Sequence, residues 1–429
     1  MSADVVSLSS SNLSRVSPGP GEGNPARRTR VLHFGSGGGK GVTRVLVNLA
    51  LGHVALGRCE ALVVFRRKRG REVGEAFRRD LATVGVQYRE VSPRPKFRTL
   101  AELRAIIREF RPDVLVAHGY SDHLWGRVAA FAEGVPVVVQ AEHAHERYKW
   151  LHLWRSRRLA ERTDAIVGVS RGVVDRLRRL GFPEEKLCMI HNGVRVDHFG
   201  PVAFVPWSDR EPAVLMVSRF GRPKDPHTLI RAAAVLRDRG MPVRVRIVGG
   251  GKRLERWRAR WLVRRLGLGE LVEFLGPRTD LPELYRRHRV AVTSTHCEGF
   301  GLVVVEGMAA GCAVVASRVP GVEELIEHRR TGWLAEDRSP ESFADGILAA
   351  LGPEGAEWAT HATRRAQAYF RVERMAGEYE ALFDRLLAHR ADANRAAARP
   401  GRGGALALAN SAAAIAAGWD HLTSVLGGG

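Results

Sequence analysis

Four cysteines in 429 residues, Cys59, Cys188, Cys297 and Cys312, are too few for a disulfide scaffold, and none falls in a CxxC or zinc-ligand spacing. They read as free thiols of a reducing compartment. No apolar run reaches the ~18 residues of a membrane-spanning helix. The N-terminus lacks the basic-then-apolar pattern of a signal peptide, which argues against export. There is no Asp-x-Asp metal pair, and no zinc-finger, helix-turn-helix or RNA-recognition signature. Acidic residues are in deficit: 46 Asp and Glu stand against 67 Lys and Arg, for a net charge of +21. Nucleic acid, an anionic membrane and anionic substrates could each account for that excess, and arginine-rich composition from a GC-rich genome is the plainer account. The charge is spread along the chain rather than held in one tail, which favours a membrane surface together with a phosphorylated substrate over nucleic acid.

The length exceeds one ordinary core and suits two domains. Residues 1–29 are Ser-, Pro- and Gly-rich and read as a disordered leader. Arg30–Phe34 is a first strand, running into the glycine turn Gly35–Gly41, which includes Gly38 and Gly39, and then a helix over Val42–Ala55. The turn is neither a Walker A loop, because Lys40 is followed by Gly41, nor a dinucleotide fingerprint, because Lys40 stands where the third glycine belongs. It still brings backbone amides to the C-terminal edge of a strand. Further strands are read at Ala61–Phe65, Val114–Ala117, Val135–Val139, Asp164–Ser170 and Lys186–Ile190. The strand at Val114 ends in His118, at the edge where open α/β sheets bind ligands. Glu146–Arg162 interleaves aromatics with arginines; an amphipathic helix facing the core is slightly preferred there over a membrane-interface helix.

Gly200–Pro212 carries three prolines and reads as a linker. After the strand Ala213–Val217, Arg219 and Lys224 flank a Gly-Pro turn, from which a planar fork and a point charge can converge on one anion. Lys252–Leu266 is a basic surface helix whose Trp257 and Trp261 are expected to lie over the core. The densest signal is Ser294–Gly311. Here Glu298 and Glu306 flank a Gly-Phe-Gly turn between the strands Val290–Thr293 and Ala313–Ala316. Residue preference makes Leu302–Val305 a strand, but parallel neighbours need a crossover, so a helix is expected from Leu302 with Gly311 at its end. Eight residues of helix rise ~12 Å, longer than the ~5–9.5 Å of a glycosidase carboxylate pair, so the two glutamates suit opposite ends of one ligand. Helix N–H groups between them attract phosphate, and together these features describe a nucleotide-sugar.

Glu-Gly-Phe-Gly-x4-Glu-x-Met-Ala-x-Gly, together with the Arg219–Lys224-Asp225 loop, resembles the donor site of the retaining glycosyltransferases of family four. His118 and Asn192-Gly193-Val194 add to the resemblance, which spans roughly residues 30–389. It implies an α/β chain of the GT-B fold, with two Rossmann-like domains facing a cleft and a last helix that crosses back. The expected division is an N-terminal acceptor domain over 30–199, a linker over 200–212, a donor domain over 213–370, a crossing helix over 371–389 and a low-complexity tail over 390–429.

The resemblance also implies roles. Arg219 and Lys224 would neutralise the diphosphate, assisted by amides around Gly299, Phe300 and Gly301. Glu298 would hold the donor sugar, and Glu306 the ribose hydroxyls. His118 would position sugar or acceptor, and Gly38 and Gly39 would line the acceptor side. No metal and no cofactor is expected besides the donor, a UDP- or GDP-sugar. The acceptor is expected to be a glycan or lipid-linked, the anionic membrane surface a partner, and the location cytoplasmic, peripheral on the inner face of the plasma membrane. A nucleotide-sugar epimerase on the same fold and, behind it, a basic nucleic-acid-binding protein are the alternatives.

Overall fold

A computed structural model describes residues 27–38, 41–68, 74–119, 122–144, 148–200, 205–221 and 223–398. Thirteen strands form two parallel sheets among these residues. The first holds β1 (Thr29–Ser36), β2 (Cys59–Arg66), β3 (Gln87–Val91), β4 (Val114–His118), β5 (Val137–Glu142), β6 (Ala165–Gly168) and β7 (Leu187–Met189), in the order β3-β2-β1-β4-β5-β6-β7. The second holds β8 (Glu211–Val217), β9 (Val245–Val248), β10 (Val272–Gly276), β11 (His288–Thr293), β12 (Ala313–Ser317) and β13 (Trp333–Ala335), in the order β10-β9-β8-β11-β12-β13. The helices of the first half are α1 (Gly41–Leu56), α2 (Glu75–Thr83), α3 (Lys96–Phe110), α4 (Asp122–Ala132), α5 (Trp150–Ala160), α6 (Arg171–Arg179) and α7 (Val196–Phe199). Those of the second are α8 (Pro226–Asp238), α9 (Arg253–Arg265), α10 (Leu281–Arg287), α11 (Leu302–Ala309), α12 (Pro340–Leu351), α13 (Pro353–Tyr369) and α14 (Val372–Ala398).

Central strands such as β4, β5 and β12 are buried along their whole length, as parallel strands covered on both faces must be. Strand order reverses between β1 and β4 in one sheet and between β8 and β11 in the other. Ligands of doubly wound sheets bind beyond the carboxyl ends of the strands at such a reversal. The sequence puts its glycine turn and His118 at the first reversal, and the Arg219 and Glu298 loops at the second.

The two halves meet through backbone. A Cβ on Gly299 would stand 2.1 Å from the His143 carbonyl oxygen, and one on Gly172 would stand 2.7 Å from Pro320. Glu324, just beyond that proline, accepts from Arg171 N (2.9 Å) and Gly172 N (3.1 Å) at the start of α6, and pairs with His191 Nε2 at 2.9 Å. Burial opposes its ionisation, but the His191 and backbone hydrogen bonds outweigh it and hold Glu324 below the ordinary range. One apolar cluster runs through this boundary, from Ile166 and Val173 to Phe300 and Val304.

The chain then returns. It breaks at Phe370, whose carbonyl accepts from Val194 N at 2.8 Å, and α14 lays Met375, Tyr379 and Phe383 into the same core as Val31, Val114 and Val139.

The structure amends several expectations. α14 runs to Ala398, nine residues into the stretch read as tail from 390. Trp257 and Trp261 are 61% and 47% exposed, so they do not lie over the core; Ala259, Leu262 and Val263 take that face of α9. Trp150 and Trp154 of α5 are likewise exposed, at 80% and 50%, and only Ser156 and Ala160 of that helix are buried. The strand β3 was not anticipated: Gln87–Val91 buries only Val91 at its end and carries no strong pattern. No disulfide joins the described cysteines. The leader read over 1–29 lies outside the described residues except at its last three positions, of which Thr29 already belongs to β1.

Two outcomes are expected. Phe383→Ala, at a site 1% exposed, should destabilise the first sheet's domain by about 3–5 kcal/mol in chemical denaturation; a loss under about 1 kcal/mol would separate α14 from that core. Gly299→Ala should push the halves apart, raising the radius of gyration in solution scattering while circular dichroism stays constant. An unchanged scattering profile would mean that the His143 loop yields instead.

Candidate functional site

The β8–α8 loop is shaped from behind. Gly249 and Gly251, at φ 140° and 145°, press against it so closely that a Cβ would stand 1.8 Å from Ser218 O or 2.2 Å from Phe220 O. Phe220 N donates to Gly250 O at 2.8 Å, which fixes the loop while Arg219 stays exposed. At its far end Lys224 bridges to Thr295 of the next loop, and Ser294 Oγ donates to Asp225 O at 2.6 Å. Asp225 caps α8 through Thr228 N. Burial opposes its ionisation, but hydrogen bonds from His227 and Thr228 and the neighbouring His296 hold it at about 2. The two loops are thereby locked together, and Lys224 Nζ pairs with the Glu298 carboxylate.

Gly301, at φ 96°, caps α11 without any side-chain hydrogen bond, and Val304 N turns back to Gly301 O at 2.9 Å, so the helix start offers the amides of Leu302 and Val303. Leu302–Val305 is helical despite its β-branched composition, because burial of Val304 and Val305 between β11 and β12 outweighs local preference. Glu306 is 4% exposed one turn further on. Burial raises its pKa, with Arg44 of α1 pulling the other way. The starts of α1 and α11 face one another, since a Cβ on Gly41 would lie 3.8 Å from Leu302 Cδ1.

Opposite stands a run of imidazoles. His33 Nδ1 lies 3.2 Å from His118 Nε2, and His118 Nδ1 lies 2.9 Å from His143 Nε2. Burial, then the neighbouring imidazoles, hold His118 well below the usual histidine range, and burial pushes His143 down to about 4. The run is therefore neutral near pH 7, with one proton in each gap and both gaps ordered in the same direction.

Glu298, Lys224, Gly299 and Gly301 come together at the second reversal, with Arg219 exposed on the same loop as Lys224. Phe300 turns its ring into the interdomain core, 2% exposed and 5.8 Å from the Phe370 ring, so its side chain takes no part in the site. His118 sits at its strand end, but it is fully buried with both ring nitrogens engaged. The histidine beside the Gly299 loop is His143, whose Nδ1 has no hydrogen-bond partner among the described residues. Its place at the end of the strand before Glu146 was a signal that sequence reading left unused. Glu324 was passed over as well. Gly38 lies under the Lys68 side chain, and Gly39 lies outside the described residues.

Among the described residues, His53, Cys59 and Glu380 have ligand atoms within 4.8 Å of one another, as a metal site would. They lie between α1, β2 and α14, where His53 Nδ1 already bonds Glu380 at 2.8 Å. Burial, then Glu380, push the Cys59 thiol up to about 12, which disfavours the thiolate that a metal needs.

Two family profiles match the chain, one in each half: "Glycosyltransferase Family 4" over residues 39–198 and "Glycosyl transferases group 1" over residues 203–367. A D-inositol 3-phosphate glycosyltransferase of Corynebacterium urealyticum is 38% identical over 30% of this chain and 32% of its own. A GDP-mannose-dependent alpha-(1-6)-phosphatidylinositol monomannoside mannosyltransferase of Mycobacterium tuberculosis is 31% identical over 53% of this chain and 66% of its own. The chain thus spans 32% and 66% of the length of these two relatives. Anabaena HepE, solved in complex with UDP-glucose, superposes with a TM-score of 0.72 at 22% identity, over 83% of this chain and all of that one. The chain belongs to the family 4, or group 1, glycosyltransferases and has their GT-B fold.

Proposed function

We propose that the chain moves a sugar, with retention of configuration and without a metal, from a UDP- or GDP-sugar to a glycan or lipid-linked acceptor in cell-envelope polysaccharide or glycolipid assembly. It would work from the cytoplasmic side, with an anionic membrane surface as partner. The observation that carries this reading is the Lys224–Glu298 pair, set beside the uncapped α11 N-terminus with Glu306 buried behind it. These groups supply cation, amides and carboxylates in the order that a diphosphate, a sugar and a ribose require.

In this reading the diphosphate recruits Lys224 and Arg219, and Lys224 is shared between phosphate and Glu298. The Glu298 side chain faces the donor sugar. The bond from the anomeric carbon to phosphate oxygen breaks, and its electron pair goes to the diphosphate, where the cations and amides stabilise the developing charge. The acceptor oxygen bonds to that carbon on the same face, and its proton passes to the departing phosphate. Glu306 accepts from the ribose hydroxyls.

Glu298→Ala should lower kcat by roughly 10²–10³-fold, the loss typical of one group aimed at transition-state charge; turnover within a few-fold of wild type would remove Glu298 from the mechanism. A thermal-shift panel of UDP, GDP and ADP sugars tests the donor. The right one, at 100 times its Kd, should add about 2.7 kcal/mol. Glu306→Gln should melt higher than wild type when unliganded, because a buried charge whose pKa is raised disfavours folding at pH above that pKa. The same variant should lose most of the ligand shift and flatten the acid limb of donor affinity, which in wild type falls as Glu306 becomes protonated. An unweakened ligand shift would move the ribose elsewhere.

A further inference from the structure

The helix α9 buries Ala259, Leu262 and Val263 and turns three large apolar side chains the other way. Leu254 is 54% exposed, beside Trp257 and Trp261 at 61% and 47%. At 3.6 residues per turn these three fall within about 60° of one another, on the side opposite the buried face. By the same geometry Arg253 and Arg264 run along one edge of the stripe, and Arg258 and Arg265 along the other. Arg265 lies 5.3 Å from the Trp261 ring centroid. The helix's one acidic residue, Glu255, lies 3.3 Å from Arg258. Exposed tryptophans normally find cover, and neither the domain core nor the cleft supplies it here.

We propose that this face of α9 docks on an anionic lipid bilayer, with the Leu254–Trp257–Trp261 stripe at the headgroup level and the flanking arginines on lipid phosphates. The proposal rests on the reading of the chain as peripheral to such a membrane, and it assigns the contact. A straight apolar line with cations on both edges is the pattern of a helix lying in the interface plane. Tryptophan's amphipathic ring is suited to that depth, and arginine stems can cover apolar surface while their heads stay with phosphate. The convex helix offers no groove to track a nucleic-acid backbone, and Leu254 cannot stack on a base, so lipid is favoured over single-stranded RNA. α9 also begins just beyond the C-terminal end of β9, on the edge of the sheet from which the donor loops rise. Docking there would bring the cleft to the bilayer.

The test is flotation of the full chain with phosphatidylcholine vesicles, with and without phosphatidylglycerol. It compares wild type with Trp257→Ser/Trp261→Ser, with Arg258→Glu/Arg265→Glu, and with Trp150→Ser/Trp154→Ser on α5. Wild type should float only with the anionic vesicles, and each α9 pair should weaken that binding by roughly tenfold or more. The α5 pair should bind as wild type. All are surface changes, so melting temperatures and the donor-induced shift should match wild type and certify the fold. Binding lost with the α5 pair but kept by both α9 pairs would overturn the assignment and leave the membrane reading intact. No binding of wild type to any vesicle would overturn both and leave sugar transfer untouched. Single-stranded RNA binding that the α9 pairs weaken, without vesicle binding, would overturn the proposal in favour of nucleic acid.

Discussion

The closeness of two backbones at the cleft sets what the rest of the molecule can do. Gly299 meets the His143 carbonyl with no room for a side chain, and Gly321, at φ 85°, backs the same loop from the other side. The Glu298 loop is thus pinned between its own domain and its neighbour, and Glu298 inherits its position from that contact rather than from a helix or strand of its own. Gly249 and Gly251 do the same for the Arg219 loop. Both cation-bearing and carboxylate-bearing loops are therefore placed by steric exclusion, which is stiffer than hydrogen bonding alone.

Charge works within that frame. Lys224 and Glu298 satisfy one another, Asp225 is held ionised by His227, Thr228 and His296, and Glu324 is held ionised at the start of α6. Glu306 goes the other way, carried into the interior where ionisation is disfavoured. A carboxylate kept in such a place at the expense of stability is typical of binding sites, where local rules are broken for a ligand. The neutral run of His33, His118 and His143 adds a buried wall behind the Gly299 contact without bringing a charge of its own.

The fold was legible wherever composition follows burial. The continuous apolar strands, the glycine turns that follow them and the helix breaks at Phe370 and Gly311 could all be read from residue types. The helix at Leu302–Val305 needed a topological argument, because its β-branched residues favour the opposite assignment. What could not be read was which side of α9 faces inward: its two tryptophans share the outer side, and Ala259, Leu262 and Val263 cover the core instead. Glu298 and Lys224, singled out by spacing, pair with one another in the structure, and Glu306 is buried behind them. His143 and Glu324 matter through contacts across the domain boundary, and a linear pattern does not encode such contacts. His118 shows the converse: its strand-end position was plain, while the engagement of both its nitrogens depends on two residues far off in sequence.

The crossing of α14 has a further consequence, for the order in which the molecule is made. Val31 and Val114 share their core with Tyr379 and Phe383. A nascent chain therefore exposes an unfinished first domain while the second is synthesised, and the second can close around its own sheet before the first is complete. Translation of the early half is separated from its final folding by the whole of the second sheet's domain. The exposed face of β1, β4 and β5 during that interval is where chaperone binding or misassembly would concentrate.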